Sequence, residues 1–270
     1  MQNPQPKIIF FDIDDTLYIK DERRIADSTR AALQALKQQG IITAIATGRS
    51  PSVLPEVIKQ LMADAGMEML VSINGQFVRY RGEPLATFPL GSEEVAETGR
   101  QMTTLDIAYA CVSDSKIYVS HETDALKAAM GNLGIAYTLG LPAAGESVYQ
   151  MLAFYDASQD AQIQASGVLG EDLKVLRWHE YSVDVLEDAG SKARGIDTIA
   201  RHLGYTAANV MAFGDGINDR EMIAHVGLGV AMGNAIPELK RVAQYVTSDI
   251  EDDGILNALV ALGMIDGFER

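Results

Sequence analysis

The stretch Ile8-Ile9-Phe10-Phe11-Asp12-Ile13-Asp14-Asp15-Thr16 decides the fold of this chain. Its first four residues are β-branched or aromatic, a pattern typical of a strand buried in a parallel sheet. Asp12 and Asp14 follow at the carboxyl end of that strand, where open α/β sheets place their functional sites. Two carboxylates about 4 Å apart repel each other by about 4 kcal/mol at an effective dielectric constant of about 20, so we expect a bound cation or a raised pKa. A hard divalent metal ion is the simplest cation for such oxygens.

Strand and helix patterns alternate from this stretch to about residue 83. The alternation predicts right-handed βαβ units and a parallel sheet, closed by a hairpin. Ser28 is the expected N-cap of the first helix, and Pro51 is expected in the first turn of the second. The predicted strands are 7–11, 41–46, 68–73, 77–80 and 85–88, and the predicted helices are 28–39 and 51–65.

The segment 84–186 has a different pattern. Its strands are joined by short turns such as Ser113-Asp114-Ser115, which indicates a small α+β unit with antiparallel pairing. The predicted helices of this segment are 93–102, 123–133 and 159–169, its strands are 107–112, 117–120 and 148–155, and 173–186 is predicted to form strand structure.

The βα alternation resumes after the segment, with helices at 192–202, 218–224, 237–242 and 253–262 and strands at 209–213 and 226–231. The predicted fold class is therefore α/β. A Rossmann-like parallel sheet forms a core from 1–83 and 187–270, and an α+β domain is inserted at 84–186.

Composition narrows the class of function. The chain has 270 residues, 47% of them hydrophobic, and a formal net charge of −15. This charge argues against binding to nucleic acid or to an anionic membrane surface, both of which need a basic face. Cys111 is a single cysteine, no run of 18 apolar residues occurs, and the polar start Met1–Gln5 is unlike a signal peptide. We expect a cytoplasmic protein, as monomer or homodimer, in which local cations attract any phosphorylated substrate.

Two more strand ends carry polar residues that can converge on Asp12. Thr47-Gly48-Arg49 follows the strand 41–46 and opens a helix, so its hydroxyl and backbone N–H groups can receive an anion. Gly214-Asp215-Gly216-Ile217-Asn218-Asp219 follows the strand 209–213, where glycines permit a sharp turn and carboxylates can reach a metal ion. Lys192, at the start of a predicted helix, supplies positive charge for a phosphate.

Together these residues resemble the four ordered motifs of the haloacid dehalogenase-like hydrolase superfamily. Further matches resemble its Cof-type sugar-phosphatase branch, in which a C2-type cap is inserted between the second and third motifs. Those matches are Ser72-Ile73-Asn74-Gly75, Ser191-Lys192, Ala231-Met232-Gly233-Asn234-Ala235 and Glu251-Asp252-Asp253-Gly254.

The resemblance implies a role for each motif residue. Asp12 would be the nucleophile that becomes an aspartyl phosphate, and Asp14 would be the general acid and then the general base. Asp12, the backbone carbonyl of Asp14, and Asp215 would hold Mg²⁺, with Asp219 either ligating the metal or supporting its ligands. The residues expected to bind the phosphate oxygens are Thr47, Gly48, Lys192 and Asn218.

The sequence departs from the family pattern at two places. Asp15 stands where the family usually has glycine, and we expect its side chain to cap the following turn. Glycine more often follows the motif lysine directly, whereas Ala193 and Arg194 precede Gly195 here, so the helix start is open to a shift. Arg49 and Asn234 are open between substrate contact and structural hydrogen bonding.

The implied function is a Mg²⁺-dependent phosphatase acting on a small phosphorylated metabolite, with substrate choice made by the 84–186 insert. Two alternatives remain open. A phosphomutase or phosphotransferase would use the same nucleophile but return the phosphoryl group to a substrate. A non-catalytic metal-binding or phosphate-binding regulator would be expected to lack the nucleophile or the acid/base, and both Asp12 and Asp14 are present.

Overall fold

The computed structural model describes residues 6–131, 134–170 and 172–267. They divide into two compact units. The first takes its described residues from Met1–Gly48, Leu54–Ala86 and Ser191–Arg270, and the second from Arg49–Val53 and Thr87–Gly190. The predicted assignment of 84–186 as a cap remains a prediction.

The elements follow one another in the order that the sequence predicts, with the differences given below. In chain order they are β1 Ile8–Phe11, α1 Asp27–Gln38, β2 Ile42–Ala46, α2 Glu56–Ala65, β3 Met69–Ser72, β4 Phe77–Tyr80, β5 Glu83–Thr87, α3 Ser92–Thr104, β6 Ala108–Val112, β7 Ile117–Val119, α4 Asp124–Gly131, β8 Thr138–Leu139, β9 Gln150–Phe154, α5 Asp160–Ser166, β10 Leu173–His179, β11 Ser182–Glu187, α6 Lys192–His202, β12 Val210–Gly214, α7 Arg220–His225, β13 Leu228–Ala231, α8 Pro237–Lys240, β14 Tyr245–Val246 and α9 Gly254–Ala261.

The sheet of the first unit has the order β14-β13-β12-β1-β2-β3-β4-β5. Its strands from β14 to β3 run parallel, and β4 pairs antiparallel with β3. β1 therefore lies between β12 and β2, at the point where the strand order reverses direction. Ligands of open α/β sheets bind beside the carboxyl ends of the strands at such a point. The structure confirms the predicted α/β class and places the end of β1 where a site is expected.

The core explains why these segments fold as they do. All four residues of β1 are fully buried, and the rings of Phe11 and Phe213 stack with centroids 5.1 Å apart across β1 and β12. Helix α1 buries Thr29, Ala32, Leu33 and Leu36, a spacing that puts them on one face. Each fully buried large apolar side chain contributes about 1.5–3 kcal/mol, so the sheet holds the end of β1 rigidly.

The second unit has its own sheet and core. The order of its six strands is β10-β11-β9-β6-β7-β8, with antiparallel pairing except between β7 and β8. Met102 from α3, Ile163 from α5, and Met151 and Val185 from the sheet are buried in one apolar cluster. This is the α+β character that the sequence predicts.

Two local predictions were wrong, and two short strands were missed. Ser28 is inside the first turn of α1, and the N-cap is Ala26, which lacks a capping side chain. The helix predicted at 51–65 is interrupted, because Pro55 disfavours a helical backbone at Leu54, and α2 begins only at Glu56 after a short 3₁₀ turn from Pro51. The short strands β8 and β14 were not predicted.

Two expectations fall outside the described residues: the polar segment Met1–Gln5 and the end of the helix predicted at 123–133. Within the described residues, the helices are too short or too polar to cross a membrane.

Candidate active site

Asp12 is fixed at the end of β1 by the sheet itself. Its N–H donates to the carbonyl of Phe213 at 3.0 Å, which continues the pairing of β1 with β12 by one residue. The residue is 6% exposed, although it carries a carboxylate. A charge buried to this degree needs a partner.

That partner is Lys192, at the first position of α6. Its ammonium donates to Oδ1 of Asp12 and to Oδ1 of Asp219, at 2.6 Å in each case. Lys192 has no exposed surface, and Ser191 caps the helix by accepting from the N–H of Arg194. The helix therefore begins at the predicted residue, despite the displaced glycine.

The loop after β12 supplies the other carboxylates. Oδ2 of Asp219 accepts from the N–H groups of Asp215 and Gly216, both at 3.0 Å, so this side chain holds the loop closed. Asp215 accepts from the hydroxyl of Thr16 at 2.9 Å, which ties the loop to the segment after β1. Asp12, Asp215 and Asp219 thereby lie at one end of the sheet.

Burial dominates the titration of this cluster. It raises the pKa of Asp12 to about 7, with Lys192 acting against the shift and Asp219 and Asp14 adding to it. Burial likewise raises the pKa of Asp215 to about 9, and the charges of Asp12 and Asp219 contribute. Although burial lowers the pKa of Lys192, the charges of Asp12 and Asp219 raise it above its usual value. The cluster has an excess of negative charge that one lysine does not balance.

The donor set fits a hard divalent cation. One carboxylate oxygen from each of Asp12, Asp215 and Asp219 lies within 4.8 Å of the others. Oxygen ligands of this kind suit Mg²⁺. The oxygens of Asp219 already bond Lys192 and the loop, which favours a supporting role for Asp219 over direct ligation.

A second group of predicted residues lies at the ends of β2 and β12. Thr47 is buried, its N–H donates to the carbonyl of Val71 at 2.8 Å, and its carbonyl accepts from the N–H of Asn74 at 3.1 Å. The amide of Asn218 donates to Oδ1 of Asn74 at 3.1 Å. A Cβ added at Gly48 would lie 3.1 Å from that same oxygen. Thr47, Gly48 and Asn218 are thus brought together around Asn74.

The turn that carries Asn74 has an unusual backbone. Ile73, Asn74 and Gly75 have φ values of 48°, 50° and 87°, three consecutive residues in the left-handed region. Such a conformation is rare for a β-branched residue and costs about 1–3 kcal/mol per strained residue. A Cβ added at Gly75 would lie 1.9 Å from the carbonyl oxygen of Ser191, so only glycine lets α6 approach this closely.

Asp14 and Asp15 lie in the turn after β1. Asp14 is partly exposed and its backbone bridges to Tyr18. Asp15 has φ of 57°, which explains why glycine suits this position and aspartate is tolerated. Its carboxylate pairs with Lys20 at 2.5 Å, and its expected role as a cap stays a prediction.

Asn234 and Arg49, whose roles the sequence left open, both have hydrogen-bond partners in the structure. Asn234 donates from Nδ2 to the carbonyl of Asp15 at 2.8 Å and accepts at Oδ1 from the N–H of Ile250 at 3.1 Å, which favours the structural interpretation. Arg49 belongs to the second unit and donates to the carbonyl of Val53 at 3.3 Å. Its role remains open.

Sequence reasoning missed Thr16, Asn74 and Gly75 as site residues. All three residues lie within motifs quoted above, and those motifs were the signal that could have identified them. Thr16 and Asn74 show why local patterns were not enough. Their partners are 199 and 144 residues away along the chain, however, and no local pattern reveals such contacts.

A family model described as haloacid dehalogenase-like hydrolase matches residues 9–259. The chain belongs to that family. YkrA of Bacillus subtilis strain 168, a putative phosphatase, is 36% identical over 263 residues, which cover 96% of this chain and 98% of the relative. An HMP-PP phosphatase of Cronobacter sakazakii is 31% identical over 237 residues, which cover 85% of each chain.

The comparison with solved structures supports the same family. That of the HAD subclass IIB sugar phosphatase BT4131 has a TM-score of 0.87 and 30% sequence identity to this chain, and the match covers 96% of this chain and all of that one. The predicted family, with its Cof-type branch, is confirmed, and so is the predicted enzyme class of phosphoric monoester hydrolases.

Proposed function

We propose that this chain is a Mg²⁺-dependent phosphatase that hydrolyses small phosphorylated metabolites, sugar phosphates or similar compounds, through an aspartyl phosphate on Asp12. The observation that carries the proposal is the position of Lys192. A fully buried ammonium joins Asp12 to Asp219 at 2.6 Å on each side, at the switch point of the sheet. The names of the relatives, sugar phosphatase and HMP-PP phosphatase, favour small phosphate compounds as substrates.

Asp12, Asp215 and the backbone carbonyl of Asp14 would hold the metal ion, and Asp219 would keep the loop and Lys192 in place. When bound, Mg²⁺ neutralises the carboxylates and stabilises negative charge on the phosphoryl oxygens.

In the first step, a carboxylate oxygen of Asp12 attacks phosphorus, and the bond from phosphorus to the ester oxygen breaks. Asp14 donates a proton to that departing oxygen, so the alcohol leaves neutral. In the second step, Asp14 takes a proton from water as the water attacks phosphorus, and the bond to Asp12 breaks. The products are an alcohol and inorganic phosphate, and both aspartates return to their starting state.

The remaining residues hold the phosphoryl oxygens while charge spreads over them. Two of the three N–H donors of Lys192 are used by Asp12 and Asp219, and the third can donate to an oxygen of the phosphoryl group. The hydroxyl of Thr47, the N–H of Gly48 and the amide of Asn218 would donate to the others.

The segment 84–186 is proposed as the cap that excludes water and contacts the leaving group. Its separate core supports a distinct role, and its place in the chain, between the second and third motifs, matches the C2-type insertion. We propose a cytoplasmic location, and leave monomer and homodimer both open.

The experiment is a screen of phosphorylated metabolites with release of inorganic phosphate as the readout, with Mg²⁺ and with EDTA. Release that needs Mg²⁺ and is absent from Asp12→Asn supports the proposal. Transfer of the phosphoryl group to a second substrate, without phosphate release, would instead identify a phosphomutase or phosphotransferase. Metal or phosphate binding without turnover of any compound would indicate a regulator.

A further inference from the structure

We propose that Asn74 is a positioning residue of the phosphate site: it holds the amide of Asn218 in the orientation that donates to a phosphoryl oxygen. This inference rests on the proposed function and adds to it a residue outside the set proposed to hold the metal ion. It concerns the first unit alone.

Asn74 contacts residues at the β2 end of the site through both its side chain and its backbone. Its Oδ1 accepts from Nδ2 of Asn218 at 3.1 Å, and its backbone N–H donates to the carbonyl of Thr47 at 3.1 Å. A Cβ added at Gly48 would lie 3.1 Å from the same Oδ1 and 3.3 Å from the Asn218 amide. The side chain of Asn74 therefore lies against Gly48 and Asn218, and its backbone N–H bonds Thr47.

Geometry explains why the contact to Asn218 matters. An asparagine amide carries two N–H donors in one fixed plane. When one donor is bonded to Asn74, rotation of the amide is restricted, and the direction of the second donor is restricted with it. A preorganised donor stabilises developing charge without having to reorient during the reaction. Without Asn74, the side chain of Asn218 would rotate more freely, and it would lose this freedom when the phosphate binds.

The backbone of Asn74 is strained, which shows that the surrounding structure holds this residue in an unfavourable conformation. Asn74 is 1% exposed and stands between Ile73 and Gly75 in the left-handed stretch. Asparagine tolerates this conformation better than most residues. Backbone strain of this kind is found preferentially at active sites.

The same turn also fixes the position of Lys192. Gly75 packs against the carbonyl of Ser191, directly before Lys192, and Gly195 on the next turn of α6 lies against Val71. The turn at Ile73–Gly75 thus positions the amide of Asn218 through Asn74 and the start of α6 through Gly75.

The test uses a double-mutant cycle on a substrate from the screen. Asn74→Gly keeps the left-handed backbone and removes the side chain, and it is combined with Asn218→Ala. Asp106→Gly is the matched control, because Asp106 is a left-handed aspartate with φ of 56° in an exposed turn of the second unit. The readouts are kcat, KM, the inhibition constant of inorganic phosphate, and the melting temperature.

We expect Asn74→Gly to lower kcat/KM about tenfold, about 1.4 kcal/mol. The loss should fall to less than twofold in the Asn218→Ala background, because Asn74 acts through Asn218. The inhibition constant of inorganic phosphate should rise in parallel, and Asp106→Gly should match the wild type. Equal losses in both backgrounds would overturn the proposal, as would a loss explained by a lower melting temperature alone.

Asn74→Asp is the second variant, in case Asn74→Gly does not fold. Aspartate tolerates the left-handed backbone and keeps an acceptor for Asn218. Because the bond to Asn218 is kept, kcat should stay within about twofold of the wild type while KM rises through repulsion of the phosphate, and a loss of kcat as large as that of Asn218→Ala in folded protein would overturn the proposal. A wild type that releases no phosphate from any compound would refute the proposed function instead, so the two failures are distinguishable.

Discussion

Replacement of Lys192 by methionine tests the electrostatics of the site most severely. The substitution preserves most of the side-chain volume and removes the ammonium that lies 2.6 Å from Asp12 and from Asp219. Removing one partner of a buried ion pair typically costs about 3–5 kcal/mol, because the remaining charge stays buried. Such a loss is a large part of a typical stability of about 5–15 kcal/mol.

The pH dependence of this loss follows from the carboxylates. The pKa of Asp12 is raised to about 7 with Lys192 present, and the variant should raise it further. Where a folded-state carboxyl pKa exceeds its unfolded value, the folded state binds more protons, and stability rises as pH falls. Lys192 itself has a raised pKa, so its contribution is complete throughout this range and is lost only at strongly alkaline pH. Lys192→Met should therefore be more destabilised at pH 8 than at pH 5.

The assay is hydrogen exchange of the amides of β1 and α6 in metal-free protein at both pH values. Tryptophan fluorescence is unsuitable, because the single tryptophan, Trp178, lies in the second unit. Lys59→Met is the matched control: Lys59 pairs with Glu56 at 3.4 Å on an exposed surface, and such pairs contribute about 0–1 kcal/mol. A loss of less than about 1 kcal/mol in Lys192→Met, or one larger at pH 5, would refute the electrostatic reasoning.

Three further predictions concern the same end of the sheet. Asp14→Asn should lower kcat by at least about a hundredfold and let phosphoryl-enzyme accumulate in acid-quenched samples, and normal turnover would remove Asp14 from the acid/base role. Gly75→Ala should lower the free energy of unfolding in urea by about 2–5 kcal/mol, because it adds left-handed strain and a collision with the backbone of Ser191. Gly82→Ala, which has the same φ and open space around it, should lower it by about 1–2 kcal/mol. Equal losses would contradict the close packing of α6. Mg²⁺ must displace protons from Asp12 and Asp215, because the pKa values of these groups are raised to about 7 and about 9. The affinity for Mg²⁺, measured by calorimetry, should therefore rise from pH 6 to pH 9. A constant or falling affinity would count against these two residues as ligands.

Local patterns predicted the elements that position the site. The apolar run before Asp12 is a fully buried strand, and α6 begins at Lys192 as the sequence indicates. These predictions succeed because burial on both faces of a parallel strand and a serine N-cap leave strong local signals. Ser28 shows the limit of the same rule, since the helix begins one residue before it without a capping side chain.

Contacts between distant residues were beyond local prediction. The motifs indicated that Lys192 supplies positive charge to the phosphate site, but not that its ammonium lies between Asp12 and Asp219 at equal distances. The role of Asn74 depends on three successive left-handed residues and on the approach of Asn218 from another strand end. A β-branched residue such as Ile73 is a poor candidate for that backbone by propensity, so tertiary packing determines its conformation.

The central claim is that Asp12 carries the phosphoryl group during turnover. The most direct measurement is a rapid acid quench with substrate labelled in the phosphoryl group, followed by borohydride reduction and peptide mass spectrometry. Reduction of an aspartyl phosphate gives homoserine at the modified position. The account predicts label in the peptide that contains Asp12, formed no more slowly than phosphate is released, conversion of Asp12 to homoserine, and neither change in folded Asp12→Asn protein. Full release of phosphate with no labelled peptide, or with the label on another residue, would contradict it.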